Sequence, residues 1–134
     1  MSRNRIADLQ LRGSTSPLPV RVYWPGQVAS QPAPLLVFCT VGAGAGAEEA
    51  GAEETCRGLS QDRGLLVLAV SCPAGPPDAM IVLEWAAEHA AELGADPGQL
   101  LVAGLGAGRA VATEVAAQAR AAGWPEVALS AAER

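Results

Sequence analysis

Three unbroken apolar runs constrain this chain more than any other feature: Leu35–Val41, Leu65–Val70 and Leu100–Ala103. A strand with one wet face alternates apolar and polar residues. A continuous apolar run of strand length belongs to a strand covered on both faces, as in a parallel sheet between two layers of helices. The intervals between the runs have the required length and composition. Glu48–Asp62 is rich in Glu and Ala and reads as a helix. Asp78 reads as the N-cap of a second helix running to Leu93, where Ile81, Trp85 and His89 step by four beside Val82 and Leu93; Gly94 stops it, and Asp96-Pro97-Gly98 is turn chemistry. A Gly-rich corner, Gly104–Gly108, leads into a third helix, Arg109–Ala122, and Val127–Ala131 reads as one last short strand.

The segment ahead of the first run has a different pattern. Ile6, Leu9 and Leu11 are interleaved with Asp8, Gln10 and Arg12, and Val20, Val22 and Trp24 with Arg21 and Tyr23; a Gly-Ser-Thr-Ser-Pro turn joins the two segments. They read as an antiparallel hairpin with one wet face, followed by a Pro/Gly/Gln loop over Pro25–Pro34. The expected order is β-β-β-α-β-α-β-α-β. With right-handed crossovers this is a single α/β domain over 1–134, an antiparallel N-terminal hairpin followed by parallel strands with helices on both faces.

Composition excludes several functions. The chain has 134 residues, a formal net charge of -5 and a pI near 4.8, and all nine of its basic residues are Arg. An acidic protein without a basic cluster is a poor binder of a phosphate backbone, so no nucleic-acid partner is expected. Cys39, Cys56 and Cys72 share no CxxC spacing and read as reduced thiols of a cytoplasmic protein, with no disulfide framework and no metal site. The polar stretch Met1–Gly13 lacks the apolar run of a signal peptide, and no apolar stretch is long enough to span a bilayer, so no membrane association is expected.

Four stretches carry a family resemblance: Leu18–Pro25 (LPVRVYWP), Pro34–Gly44 (PLLVFCTVGAG), Glu84–Pro97 (EWAAEHAAELGADP) and Leu101–Gly108 (LVAGLGAG). In this order and context the chain resembles the N-terminal part of an α/β-hydrolase, specifically the esterases related to hormone-sensitive lipase. The resemblance implies an incomplete α/β-hydrolase-type sheet from Val20 onward. It also implies a nucleophile elbow, G-x-S-x-G, at Gly104-Leu105-Gly106-Ala107-Gly108. The flanking glycines are kept, but Gly106 stands where the family has serine, so no hydroxyl is present to attack a carbonyl. The family's His-Gly-Gly-Gly oxyanion loop maps to Thr40, Val41, Gly42 and Ala43, with the histidine gone and Val41 adding bulk. The Asp and His of the triad would come from beyond the sixth strand, past Arg134. A serine-hydrolase mechanism is therefore not expected of this polypeptide.

Other candidate chemistry is weaker. His89, the one histidine, sits mid-helix and reads as structural. Cys72 ends a buried strand at the sheet edge where α/β folds bind ligands, but without a nearby base it reads as an inert thiol; Cys39 reads as packing. The run Gly42–Ala47 matches the dinucleotide pattern GxGxxA, yet Ser71 and Cys72 stand where a ribose-binding acid is needed, and a Rossmann unit does not begin with a hairpin. Glu48, Glu49, Glu53 and Glu54 read as complements to a helix N-terminus rather than a cation site. No catalytic residue, cofactor or metal is expected.

The expected role is a non-hydrolytic accessory or binding one. It would use a pocket formed by Thr40, Val41, Gly42, Ala43, Ser71, Cys72, Leu105, Gly106 and Ala107, with a small apolar molecule as the candidate ligand. An enzyme of non-serine type, such as a cyclase, isomerase or lyase of an apolar metabolite, is the alternative, and Thr40, Ser71 and Cys72 would be its polar groups. A structural remnant without a ligand is the third reading. The open edge at Val127–Ala131 points to a homodimer, with a different protein supplying strands as the rival.

Overall fold

A computed structural model describes residues 5–13, 17–25, 33–40, 47–72, 75–104, 106, 108–125 and 127–129. The chain forms β1 (Arg5–Arg12), β2 (Pro17–Trp24), β3 (Ala33–Thr40), α1 (Ala47–Arg63), β4 (Leu66–Ser71), α2 (Pro76–Leu93), β5 (Ala95–Gly104), α3 (Gly108–Ala122) and β6 (Val127–Leu129), the order expected from the sequence. One six-stranded sheet results, with spatial order β1-β2-β4-β3-β5-β6. β1 pairs antiparallel with β2, and β2 antiparallel with β4. β4, β3, β5 and β6 run parallel. The hairpin-then-parallel architecture is the α/β-hydrolase type of sheet.

The unbroken apolar runs are explained by two separate cores. Leu35, Val37 and Cys39 of β3 and Leu66, Leu68 and Val70 of β4 face α2 and α3, together with Leu18, Val20 and Val22 of β2. Leu36, Phe38 and Val67 point the other way, with Tyr23 and Ala103, against Cys56 and Leu59 of α1. Residues 35–39 and 65–68 are buried throughout, so both faces of the central strands lose water. At about 1.5–3 kcal/mol for each fully buried Leu, Val or Phe, these runs supply most of the drive to fold.

Several expectations shift. Ile6 does not share a face with Leu9 and Leu11; β1 is in phase with Leu9 and Leu11 on the α2 side, and Ile6 packs beside the α1 core. Period two requires this, since an even position faces opposite the odd ones. α2 starts at Pro76 with Gly75 as N-cap, so Asp78 lies inside the first turn instead of capping it. Pro is suited to that opening position, where its missing N–H has no intrahelical partner to lose. The buried stripe of α2 is Asp78, Ala79, Val82, Leu83, Ala86 and Ala90; the expected Val82 lies on it, Trp85 and Leu93 pack at its edge, and Ile81 and His89 are only half-buried. Small alanines let the helix approach β5 and α3 closely, while Trp85, half-buried, packs at the edge of that core. β5 begins five residues earlier than expected. Ala33 pairs with Ala95, and the register then jumps to Leu35 with Leu100. The four residues between Ala95 and Leu100 stand opposite one in β3, a bulge in which Asp96 Oδ1 accepts from the Gly98 N–H and Oδ2 from Gln99, both at 2.9 Å. The Gln99 bond, then the Gly98 bond, holds the Asp96 carboxyl below its usual pKa. β6 is Val127–Leu129, and the expected continuation to Ala131 lies outside the described residues.

Arg21 ties the hairpin to the helix layer. Its guanidinium donates to Asp8 across the β1–β2 ladder at 2.8 and 3.4 Å and reaches Glu53 of α1 at 3.6 Å. Trp24 is anchored at the opposite side, its indole N–H donating to the Leu93 carbonyl at 2.9 Å. Among the described residues no helix is long and apolar enough to cross a membrane.

Candidate functional site

The carboxyl ends of the parallel strands meet the amino ends of α2 and α3 at one edge of the sheet, the edge where open α/β folds take ligands. Its centre is the corner from β5 to α3. β5 ends at Gly104 and α3 begins at Gly108, so the chain turns from strand to helix within three intervening residues. Gly106, at the exposed tip, has φ 59°, and its carbonyl accepts from the Arg109 N–H at 3.1 Å. In that left-handed region a side chain crowds the following carbonyl, at a cost of about 1–2 kcal/mol that glycine avoids. The flanking glycines answer a different need. A Cβ at Gly104 would overlap the Gly108 carbonyl, and a Cβ at Gly108 would overlap the Cys39 carbonyl and the Thr40 Cα. The corner is pressed against the end of β3, and only bare backbone fits between them. At this strand-to-helix corner Gly106 is left-handed and carries no side chain.

The structure divides the expected pocket residues between the two sides of the sheet. Thr40 and Ser71 are register partners in the β3–β4 ladder and share a face with Phe38, the α1 side. Thr40 is half-buried and its hydroxyl donates to the Val70 carbonyl at 3.4 Å, so it is engaged with backbone. Cys72 lies on the opposite side, fully buried in the core beneath α2 and α3. Its N–H donates to the Thr40 carbonyl at 2.8 Å. Gly106 is at the corner; Val41, Gly42, Ala43, Leu105 and Ala107 lie outside the described residues, as does the dinucleotide-like run up to residue 46.

His89 stands apart from this edge. Eleven residues separate it from Asp78, about 16 Å of helix in the direction away from the corner. Its ring stacks on Trp85 with centroids 4.4 Å apart, Nδ1 lies 2.8 Å from the Trp85 carbonyl oxygen, and Nε2 is 3.9 Å from Glu92. Every described contact is local to α2. Of the glutamates, Glu53 is held by Arg57 at 3.1 Å and by Arg21, and Glu54 is exposed; the Glu48 and Glu49 side chains are outside the described residues. Among the described residues no three His, Cys, Asp or Glu side chains gather to hold a metal.

Two features of this edge escape a reading of the sequence. Asp78 is a buried carboxylate, 1% exposed, in the first turn of α2, where the helix dipole favours negative charge. Its spacing of four from Val82 and eight from Ala86 is the signal that places it on the inward stripe. The second is that Cys39 and Cys72 share a face. A hydrogen bond with Cys72, and then burial, pushes the Cys39 thiol well above the ordinary thiol range. Cys56, on the α1 side, is pushed up to about 12 by burial and then by the Glu53 charge.

Comparison with known proteins agrees with this geometry. A family model described as the alpha/beta hydrolase fold matches residues 42–132. Esterase LipI of Mycobacterium tuberculosis is 31% identical over 132 residues, covering 92% of this chain and 41% of that protein. Carboxylesterase NlhH of the same species is 33% identical over 116 residues, covering 81% of this chain and 36% of the relative. Among solved structures, a hyperthermophilic esterase from the archaeon Pyrobaculum calidifontis superimposes with a TM-score of 0.76 at 30% identity, over 92% of this chain and 42% of that one. EstE1, a thermostable carboxylesterase cloned from a metagenomic library, gives 0.78 at 28% identity, over 95% and 46%. The chain thus spans about two fifths of the length of the curated relatives it matches. With the sheet order, the strand-to-helix corner and a matching family model in agreement, the chain belongs to the alpha/beta-hydrolase-fold family.

Proposed function

We propose that this protein is a non-hydrolytic member of its family, an accessory or binding protein that uses the carboxyl edge of the sheet to hold a small apolar ligand. The observation that carries this reading is Gly106. Ester hydrolysis through an acyl-enzyme needs a nucleophile at the strand-to-helix corner, and the left-handed Gly106 there offers no side chain, which supports this reading. Whatever residues join the site, the attacking hydroxyl has no place of origin at that corner. The alternative of a non-serine enzyme built on Thr40, Ser71 and Cys72 is less well supported. Cys72 faces the core and Thr40 spends its hydroxyl on the Val70 carbonyl, so the three do not converge. The test is hydrolysis of an activated short-chain ester by protein purified to constant specific activity. No rate above buffer is expected, and turnover that co-purifies with the protein overturns the reading.

We further propose that the protein pairs through β6 with a second copy. The two sheet edges differ in their chemistry. β1 carries Asp8, Gln10 and Arg12, all exposed, which discourage edge-to-edge pairing, whereas β6 is Val-Ala-Leu. Two-fold pairing would set β6 antiparallel to its copy about Ala128. A dimer mass by light scattering is expected at micromolar concentration, and a stable monomer contradicts it.

A further inference from the structure

Among the described residues one large apolar side chain is exposed, Trp124 at 48%. It stands in the connection between α3, ending at Ala122, and β6, starting at Val127, at the amino end of the outermost strand. Within one chain it is far from the Gly104–Gly108 corner. Leu101 pairs with Ala128 in the parallel β5–β6 ladder. At about 3.3 Å per residue, Gly104 lies about 10 Å from that pair towards the carboxyl edge, and Trp124 lies up to about 13 Å from it in the opposite direction.

Pairing with a second copy reverses this relation. An axis through Ala128 turns the copy end for end, so the partner's Gly104 falls on the same side of the axis as Trp124, the two being about 10 and 13 Å from it. Sideways they are separated by two strand spacings, from β6 to the partner's β6 and on to its β5, or about 10 Å. The axis is perpendicular to the sheet, so the two α3 helices, each packed on its own β5 and β6, lie on one face and run antiparallel. The end of one α3, with Trp124, therefore comes beside the start of the other.

The carboxyl edge lacks what an apolar ligand needs. Pockets are lined mainly by hydrophobic and aromatic side chains, whereas Thr40, Ser71, Gly104, Gly106 and Gly108 offer two hydroxyls and bare backbone. A tryptophan brings about 150–250 Å² of surface to such a contact. We propose that Trp124 of each copy completes the ligand site at the partner's carboxyl edge, as an apolar wall on which a flat, uncharged molecule stacks. The site is whole only in the dimer. This inference rests on the binding role and the β6 pairing proposed above.

The test has two arms. Copies carrying W124C and copies carrying A110C are mixed and treated with a short bis-maleimide. Ala110 is exposed in the first turn of α3, and Cys39, Cys56 and Cys72 are buried, so background reaction is low. A covalent dimer joined through positions 110 and 124, mapped by mass spectrometry, is expected. In the second arm the neutral probe N-phenyl-1-naphthylamine is titrated into wild type, W124F and W124A. Saturable binding is expected, kept in W124F and weakened roughly tenfold in W124A, the loss of one anchoring aromatic. A monomer mass for the wild type ends the pairing reading, and a wild-type dimer that does not bind the probe ends the binding reading, each taking this inference with it. A dimer without the 110–124 link, or W124A binding the probe as wild type does, overturns this inference alone. So does W124A becoming monomeric, which would make Trp124 a contact of the interface instead of the site.

Discussion

Replacing Gly108 with alanine tests the contact on which the whole corner depends. The added Cβ would overlap the Cys39 carbonyl and the Thr40 Cα, both backbone, so no flexible side chain can swing aside. α3 must retreat from β3, and its buried stripe of Val111, Ala112, Val115, Ala116 and Ala119 must lift with it. Overpacking in a core costs about 1–3 kcal/mol, and a clash between two backbones belongs at the upper end. A loss of about 3 kcal/mol lowers Tm by roughly 10 °C in a domain of this size. Gly106→Ala is the natural comparison, because at φ 59° a side chain costs about 1–2 kcal/mol of backbone strain. Urea unfolding followed by circular dichroism should rank the midpoints wild type, then Gly106→Ala, then Gly108→Ala, at constant m. A Gly108→Ala midpoint equal to wild type, or above that of Gly106→Ala, would refute the close approach of corner and strand.

Three other outcomes follow from the same structure. Gly58 lies within α1, and a Cβ there meets nothing nearer than Asp62 Oδ2 at 3.9 Å, so Gly58→Ala should raise stability by about 0.5–1 kcal/mol, read as a rise in Tm. Trp24→Phe deletes the 2.9 Å bond to the Leu93 carbonyl and should cost about 1 kcal/mol in urea unfolding, with α2 fraying at that end seen by faster amide exchange. Burial raises the folded pKa of Cys56 to about 12, so its contribution is complete below about pH 9, the unfolded value, and is lost as pH climbs toward 12. Thermal midpoints should therefore fall across that window, and Cys56→Ala should flatten the fall; an unchanged slope would contradict the assignment.

Much of the fold is legible in the residues. Unbroken apolar runs announced the doubly covered strands, and glycines at 94, 104 and 108 marked where elements stop and start. What the sequence hides is mostly rotation and register. Ile81, Trp85 and His89 look like a core stripe because they are large, but the helix presses its alanines inward, since small residues permit the closest approach to β5 and α3. Asp78 reads as a cap by residue type, yet a Gly-Pro-Pro start moves the helix boundary and carries the carboxylate inside. The tight strand-to-helix corner was legible in the glycines at 104, 106 and 108. The placing of Cys39 and Cys72 on one face was not, because nothing in their spacing predicts that β4 inserts between β2 and β3 with Cys39 beside Val70.

The most direct test of the central claim is covalent labelling of the natural protein with a fluorophosphonate, which phosphonylates activated serine hydroxyls, read by intact mass. The glycine at the strand-to-helix corner predicts an unmodified mass at concentrations that label a serine esterase completely. A stoichiometric adduct, mapped to any residue of the carboxyl edge, would show that a nucleophile operates there and would contradict the account.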